Sequence, residues 1–150
     1  MDTENHMHLV CPHCGAVNRV PRERSAAGAR CGSCHQALFE GRPVPVDAAQ
    51  FERHVNTDGI PVLADIWAPW CGPCRAMAPM FERAAAELEP AVRLVKLNAD
   101  AAPEITAKLG VRGIPAMFLF DRGRVLAQST GARDVRAIVE WTRQHIPAAN

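Results

Sequence analysis

Apolar positions divide the 150-residue chain into a sparse stretch before about residue 39 and a dense one after it. In the dense part, residues 60–68 form an apolar run rich in branched and aromatic side chains, which predicts a buried strand. Residues 73–89 have helical composition. There Met77, Met80, Phe81, Ala84, Ala85 and Leu88 recur at the spacing that turns one helix face toward a sheet. Residues 92–98 alternate and predict a strand, and 102–109 predict a short helix stopped by Gly110. Residues 116–120 predict a strongly buried strand, 121–124 a hairpin turn and 125–129 the returning strand, ended by Gly131. A last amphipathic helix over 133–145 presents Val135, Ile138, Val139 and Thr142 to the core. Upstream, Gly41, Pro43 and Pro45 disfavour helix, so 39–46 reads as an extended linker entering a first strand. Asp47 then caps a helix over 48–55, with Gln50 in capping-box register. The order β-α-β-α-β-α-β-β-α implies an α/β fold: a sheet with helices on both faces and an antiparallel hairpin at the end.

The sparse segment, 8–38, has Leu9, Val10, Val17, Val20 and Leu38 as most of its large apolar residues. So few cannot make a self-sufficient core, and a segment this short needs a metal or disulfides. All six cysteines fall in C-x-x-C pairs: Cys11/Cys14, Cys31/Cys34 and Cys71/Cys74. Sixteen residues separate Cys14 from Cys31, inside the zinc-ribbon window. Gly15 and Gly32 suit two tight turns that aim four sulfurs at one tetrahedral Zn²⁺. The chain therefore divides into a ribbon-like segment over 1–38, a linker and first strand over 39–46, and a main domain over 47–150.

Charge narrows the function classes. Lys plus Arg (17) nearly cancels Asp plus Glu (16), which argues against a nucleic-acid or membrane-surface footprint. No apolar stretch approaches the ~18 residues of a membrane span. The first eight residues are polar and carry no signal-peptide core. A cytoplasmic location is expected, and in that reducing compartment the cysteines point to metal or redox chemistry.

The run Trp70-Cys71-Gly72-Pro73-Cys74 lies where a predicted strand hands over to a predicted helix. Unpaired N–H groups and the helix dipole favour a thiolate at that end, and thiolates attack disulfides. Cys71, the more exposed by position, is assigned as nucleophile. Cys74, one helical turn deeper, then displaces the partner in an intramolecular step. Gly72 and Pro73 shape the turn, and Pro79 should kink the long helix. Asp65 lies in an apolar strand; it is either a buried carboxyl with a raised pKa or half of an ordinary ion pair at a strand edge. The Ile114–Pro115 bond, on residue preference alone, is trans.

Several separated matches keep one order from about residue 45 onward. They are Asp65-Ile66-Trp67-Ala68, the Trp70–Cys74 run, Pro79, Lys96-Leu97-Asn98-Ala99-Asp100, Gly113-Ile114-Pro115, Gly123 and Gly131. This series resembles the thioredoxin family. With the two N-terminal cysteine pairs, the whole chain is similar to the family's bacterial thioredoxin 2 type. The resemblance implies a thioredoxin fold, a mixed central sheet with helices on both faces, preceded by a small zinc ribbon. It implies a protein-disulfide reductase working through a redox-active Cys71–Cys74 disulfide, and the Gly-Pro dipeptide goes with reductants in that family. Asp65 then accepts the proton of the buried cysteine, with Lys96 as its partner. Pro115 becomes a cis-proline, and Trp70, Gly72, Pro73, Gly113, Ile114, Pro115 and Gly131 become a docking surface for an extended client. Trp67 is expected in the core. One Zn²⁺ is held by Cys11, Cys14, Cys31 and Cys34. The implied partners are disulfide-containing clients and thioredoxin reductase, with no nucleic acid, no membrane and a monomeric state. Ile66 departs from the family's usual aromatic. Ala116 departs from its usual Thr, which bears on docking.

Two motifs in the ribbon have other readings. Cys11-Pro12-His13-Cys14 matches the tetrapeptide of oxidising periplasmic enzymes, but Gly15, Asn18 and Pro21 follow where a helix would have to start. Cys31-Gly32-Ser33-Cys34-His35 matches a c-type haem attachment site, which leaves Cys11 and Cys14 unexplained. Zinc uses all four sulfurs, with His13 and His35 as bystanders. Arg19, Arg22, Arg24 and Arg30 are expected to offset the site's charge by hydrogen bonding. Two other functions stay open: a zinc-dependent interaction or chaperone-type module, and a switch in which oxidation of the ribbon expels zinc.

Overall fold

The sparse N-terminal stretch makes its own small sheet. In this computed structural model, which describes residues 5–147, β1 (His6–Val10) pairs antiparallel with β2 (Val17–Pro21), and a 3-10 turn over Ala26–Gly28 follows. The apolar pattern did not predict these strands. They are five residues each, and only Leu9, Val10 and Val20 in them are buried.

The rest follows the predicted order: β3 (Val44–Val46), α1 (Ala48–Thr57), β4 (Val62–Trp67), α2 (Gly72–Leu88), β5 (Arg93–Asn98), α3 (Pro103–Leu109), β6 (Ala116–Asp121), β7 (Arg124–Thr130) and α4 (Val135–His145). The strands lie side by side as β3-β5-β4-β6-β7. β3 and β4 run parallel to β5, while β6 is antiparallel to β4 and β7 to β6. Local chemistry sets the joints. Asp47 accepts from the Gln50 amide at 2.8 Å and Gln50 Oε1 accepts from the Asp47 amide at 2.9 Å, the expected capping box. Arg122 and Gly123 both take positive φ, the conformation a two-residue hairpin needs. α2 runs on through Pro79 without ending.

β4 is the centre of the core. Val62, Ala64 and Ile66 face Phe51 and Val55 of α1 and Ile105 of α3. Leu63, on the other face, packs among Met77, Phe81, Ala84 and Leu88 of α2 and Ile138 and Val139 of α4. Period-2 geometry puts Asp65 and Trp67 on this α2 side. β5 corrects the alternating reading. It lies between two strands, and Arg93, Leu94, Val95 and Leu97 are all buried.

Candidate functional site

Trp67 ends β4 and Gly72 starts α2, so the four residues between them form a tight strand-to-helix turn. Cys71 is the N-cap of α2. Its Sγ accepts the Cys74 amide at 3.2 Å, and Pro73 occupies the first turn, where no N–H is needed. Cys71 and Cys74 are joined in a disulfide with Cα atoms 5.2 Å apart. Cys71 is 5% exposed and Cys74 2%, so the expected exposed member is nearly as buried as its partner in this oxidised form. Ala68, Trp67 and Ile114 pack around the pair.

The flanking residues divide by exposure. Trp70 is 67% exposed and donates its Nε1–H to Asp100 at 2.9 Å. Gly72 and Pro73 are also exposed. Ile114–Pro115 is cis, as the resemblance implied and residue preference did not. The Ile114 carbonyl lies 3.8 Å from Cys71 Sγ. Pro115 itself is buried and its carbonyl accepts from Gly131 N–H at 2.8 Å, so that backbone group is not free for pairing. Gly131 takes φ +106, and a Cβ on Gly113 would sit 3.2 Å from Thr130 Cγ2. Trp67 is only half-buried, with its Nε1 enclosed and unpartnered, which corrects the core reading.

Asp65 is 1% exposed and neither carboxylate oxygen has a hydrogen-bond partner. Burial pushes its pKa from 3.8 to about 7, with the Lys96 charge pulling the other way. Lys96 is the register partner of Asp65 across β4 and β5, yet its Nζ sits 5.0 Å over the Trp67 ring. The strand-edge ion pair is thus replaced by an isolated carboxyl beneath α2, influenced by a cation that stacks elsewhere. Asp100, which orients Trp70, had no assigned role in the sequence. It closes the Lys96–Asp100 run that carries part of the family resemblance, but nothing in that run marks it as a partner for Trp70.

The four ribbon cysteines form a second centre. Their sulfurs all lie within 4.8 Å of one another, with Cys11–Cys34 and Cys14–Cys31 both at 3.6 Å. A tetrahedral ion with Zn–S of about 2.3 Å needs sulfurs about 3.8 Å apart, so these four fit it. Two matching turns aim them. In each, the first cysteine's amide bonds the carbonyl five residues on (Ala16, Gln36) and its carbonyl accepts from the residue four on (Gly15, His35). In each, the amide two residues on reaches its sulfur: His13 to Cys11 at 3.4 Å and Ser33 to Cys31 at 3.3 Å. Backbone amides thus donate to the sulfurs of Cys11 and Cys31. Arg30, expected to serve this role, donates instead to the His35 carbonyl. His13 lies 3.7 Å from Glu40, outside the cluster.

The second turn corrects one expectation. Gly15 takes φ +79, but its counterpart is His35 at φ +67, while the Gly32 amide bonds Asn18 Oδ1 at 2.9 Å. A Cβ on Gly15 would meet Arg53 Nε at 3.5 Å, an ordinary contact, so the cost of a side chain there is conformational. Gly15→Ala is expected to destabilise the chain by about 1–2 kcal/mol. A lower thermal unfolding midpoint in the presence of zinc would show it.

Both cysteine centres lie in segments that match known families. The thioredoxin family profile matches residues 42–144, and the profile described as "Thioredoxin 2, N-terminal" matches residues 10–36. Thioredoxin C-3 of Corynebacterium nephridii is 38% identical over 140 residues, covering 93% of this chain and 96% of that protein. Thioredoxin of Haemophilus influenzae is 40% identical over 101 residues, covering 67% of this chain and 94% of its own. A solved mutant thioredoxin from Halobacterium salinarum superposes with a TM-score of 0.66 at 26% identity, over 75% of this chain and 97% of that one. The two profile matches together run from residue 10 to residue 144, and the chain belongs to the thioredoxin family of disulfide oxidoreductases, in the type that carries a zinc ribbon ahead of the fold.

Proposed function

We propose that this protein is a cytoplasmic protein-disulfide reductase, with residues 47–150 as the reducing domain, 39–46 as linker and first strand, and 1–38 as a ribbon holding one Zn²⁺. The observation that carries the reading is Cys71 Sγ at the N-cap of α2, accepting the Cys74 amide. A sulfur so placed is stabilised as thiolate once the disulfide is reduced. The Cys71 thiolate attacks one sulfur of a client disulfide, forming a mixed disulfide and expelling the client's other thiolate. Cys74 gives its proton to Asp65 and attacks Cys71 Sγ. The second client thiolate leaves, and two electrons have passed from the dithiol to the client. Trp70, Gly72, Pro73, Gly113, Ile114 and the half-buried Gly131 form the surface that receives an extended client, with the buried Pro115 as its support. Lys96 acts on Asp65 through its charge.

Thioredoxin reductase is the proposed source of electrons. The described residues include no helix long and apolar enough to cross a membrane. The test is insulin reduction with NADPH and thioredoxin reductase, read as turbidity together with NADPH loss. The expected result is sustained turnover by a monomer; no turnover above the reductase alone would reject the proposal. Zn²⁺, bound by Cys11, Cys14, Cys31 and Cys34, would supply a fold-holding cross-link. Metal analysis should give one zinc per chain.

A further inference from the structure

The ribbon meets the main domain through a buried polar cluster that neither centre uses. Arg93 opens β5 and is 0% exposed. Its Nη1 donates to the Leu38 carbonyl at 2.8 Å and its Nη2 to the Val10 carbonyl at 3.2 Å. Its guanidinium lies 4.1 Å over the Phe39 ring, and its Nε is 3.6 Å from Asp58 Oδ2. Asp58 is 1% exposed. It accepts the Val10 amide at 2.8 Å through Oδ1 and contacts His54 Nδ1 at 2.7 Å through Oδ2. Next to it, the Gly59 amide donates to the His8 carbonyl at 2.7 Å. A Cβ on Gly59 would come within 3.2 Å of the His8 backbone, so the two segments touch where only glycine fits easily.

The positions of these partners matter. Val10 immediately precedes Cys11, and both its backbone groups are taken by the main domain. Leu38 lies four residues after Cys34. The chain is therefore gripped just before the first metal-ligating turn and just after the second. The ribbon's apolar cluster of Leu9, Val20, Ala26 and Leu38 is completed by Phe39 and Ile60 from outside it, and Arg53 of α1 adds a bond from its Nε to the Gly15 carbonyl at 2.6 Å. A charge left buried without its partner is strongly unfavourable, so the cluster tolerates one arrangement of these two arms. Ligands held in place before the ion arrives lose less freedom on binding it.

We infer that Arg93 and Asp58, which lie outside the ribbon, position its two cysteine turns and so set how tightly the chain holds its metal. The inference rests on the reading of the four cysteines as a zinc site. Because coupling is reciprocal, zinc also stabilises the main domain through the same two residues.

The experiment uses the full zinc-loaded chain. Zinc affinity is measured by competition with a chromophoric chelator, and thermal unfolding is followed with and without zinc. Arg93→Met is expected to weaken zinc binding by about tenfold or more, within the ~5–150-fold span of ordinary site coupling. The drop in thermal midpoint on zinc removal should be large in the wild type and much smaller in the variant. Arg136→Gln, at an exposed position on α4, should change neither. If Arg93→Met does not fold, Asp58→Asn replaces it. That variant keeps an oxygen for the Val10 amide but loses the charge, so a smaller loss in the same direction is expected. Zinc affinity within twofold of wild type in a folded variant overturns the inference, as does an equal loss in Arg136→Gln. If the wild type itself binds no zinc, the metal reading fails and this inference with it. Hydrogen exchange at the Val10 amide then still reports whether Arg93 holds the arm, since protection should fall in Arg93→Met.

Discussion

Cys74→Ser is expected to accumulate as a covalent adduct with insulin chains and to lose turnover by at least about a thousandfold. The variant keeps Cys71 at the N-cap of α2, so the first attack proceeds. The second step then has no sulfur held 5.2 Å away, Cα to Cα, to carry it out. Groups fixed at bonding distance act at effective concentrations of about 10⁵ M or more, which no free thiol in the assay approaches. Non-reducing gels should show the adduct, and Cys71→Ser should show none. Turnover by Cys74→Ser near the wild-type rate would mean that another thiol releases the client, and the assigned roles would be wrong.

Asp65→Asn should make the protein more stable at alkaline pH and slower near neutrality. The native carboxyl holds its proton up to about pH 7, whereas the unfolded one releases it near 3.8. Between those values the native state binds more protons, so stability falls as pH rises. A gap of about three pH units corresponds to roughly 4 kcal/mol, which the amide recovers nearly in full by pH 8 and only to about 0.5 kcal/mol at pH 4. Glu89 is also pushed up to about 7 by burial, so the measurement is the difference between variant and wild type at each pH. Denaturant unfolding from pH 4 to pH 8 would show it as a widening gap. Without a base for Cys74, insulin reduction should slow by roughly a hundredfold near pH 7, the lower end of general-base effects, and recover toward pH 9. Parallel stability curves, or equal rates at every pH, would remove Asp65 from the mechanism.

These expectations rest on residues that could be read from the chain. The apolar run through β4, the Cys71–Cys74 pair and the helical spacing in α2 all express local geometry, and local geometry is what periodicity reports. The capping box at Asp47 is legible for the same reason. Pro115 is different: residue preference favours trans, and only the family resemblance implied the cis bond found here. Lys96 was paired with Asp65 correctly in register but not in contact, because the Trp67 face competes for its charge. Arg93 read as one polar position in an alternating strand. Its burial depends on Leu38, Val10 and Asp58, which lie 35 to 83 residues away in sequence, and no local pattern encodes such a meeting. His35 takes the left-handed backbone of Gly15, the residue at the same place after the first cysteine pair, although a side chain there makes glycine the expected choice.

The ribbon joins the main domain at Asp58 and Arg93, where β4 and β5 begin, while Cys71 follows the far end of β4. A strand of this length spans roughly 17 Å at ~3.3 Å per residue. Anchored to a resin through its N-terminal segment, this protein would therefore turn its reactive sulfur toward the solution and serve as affinity bait for disulfide-bearing partners, with the anchoring point well clear of whatever it catches.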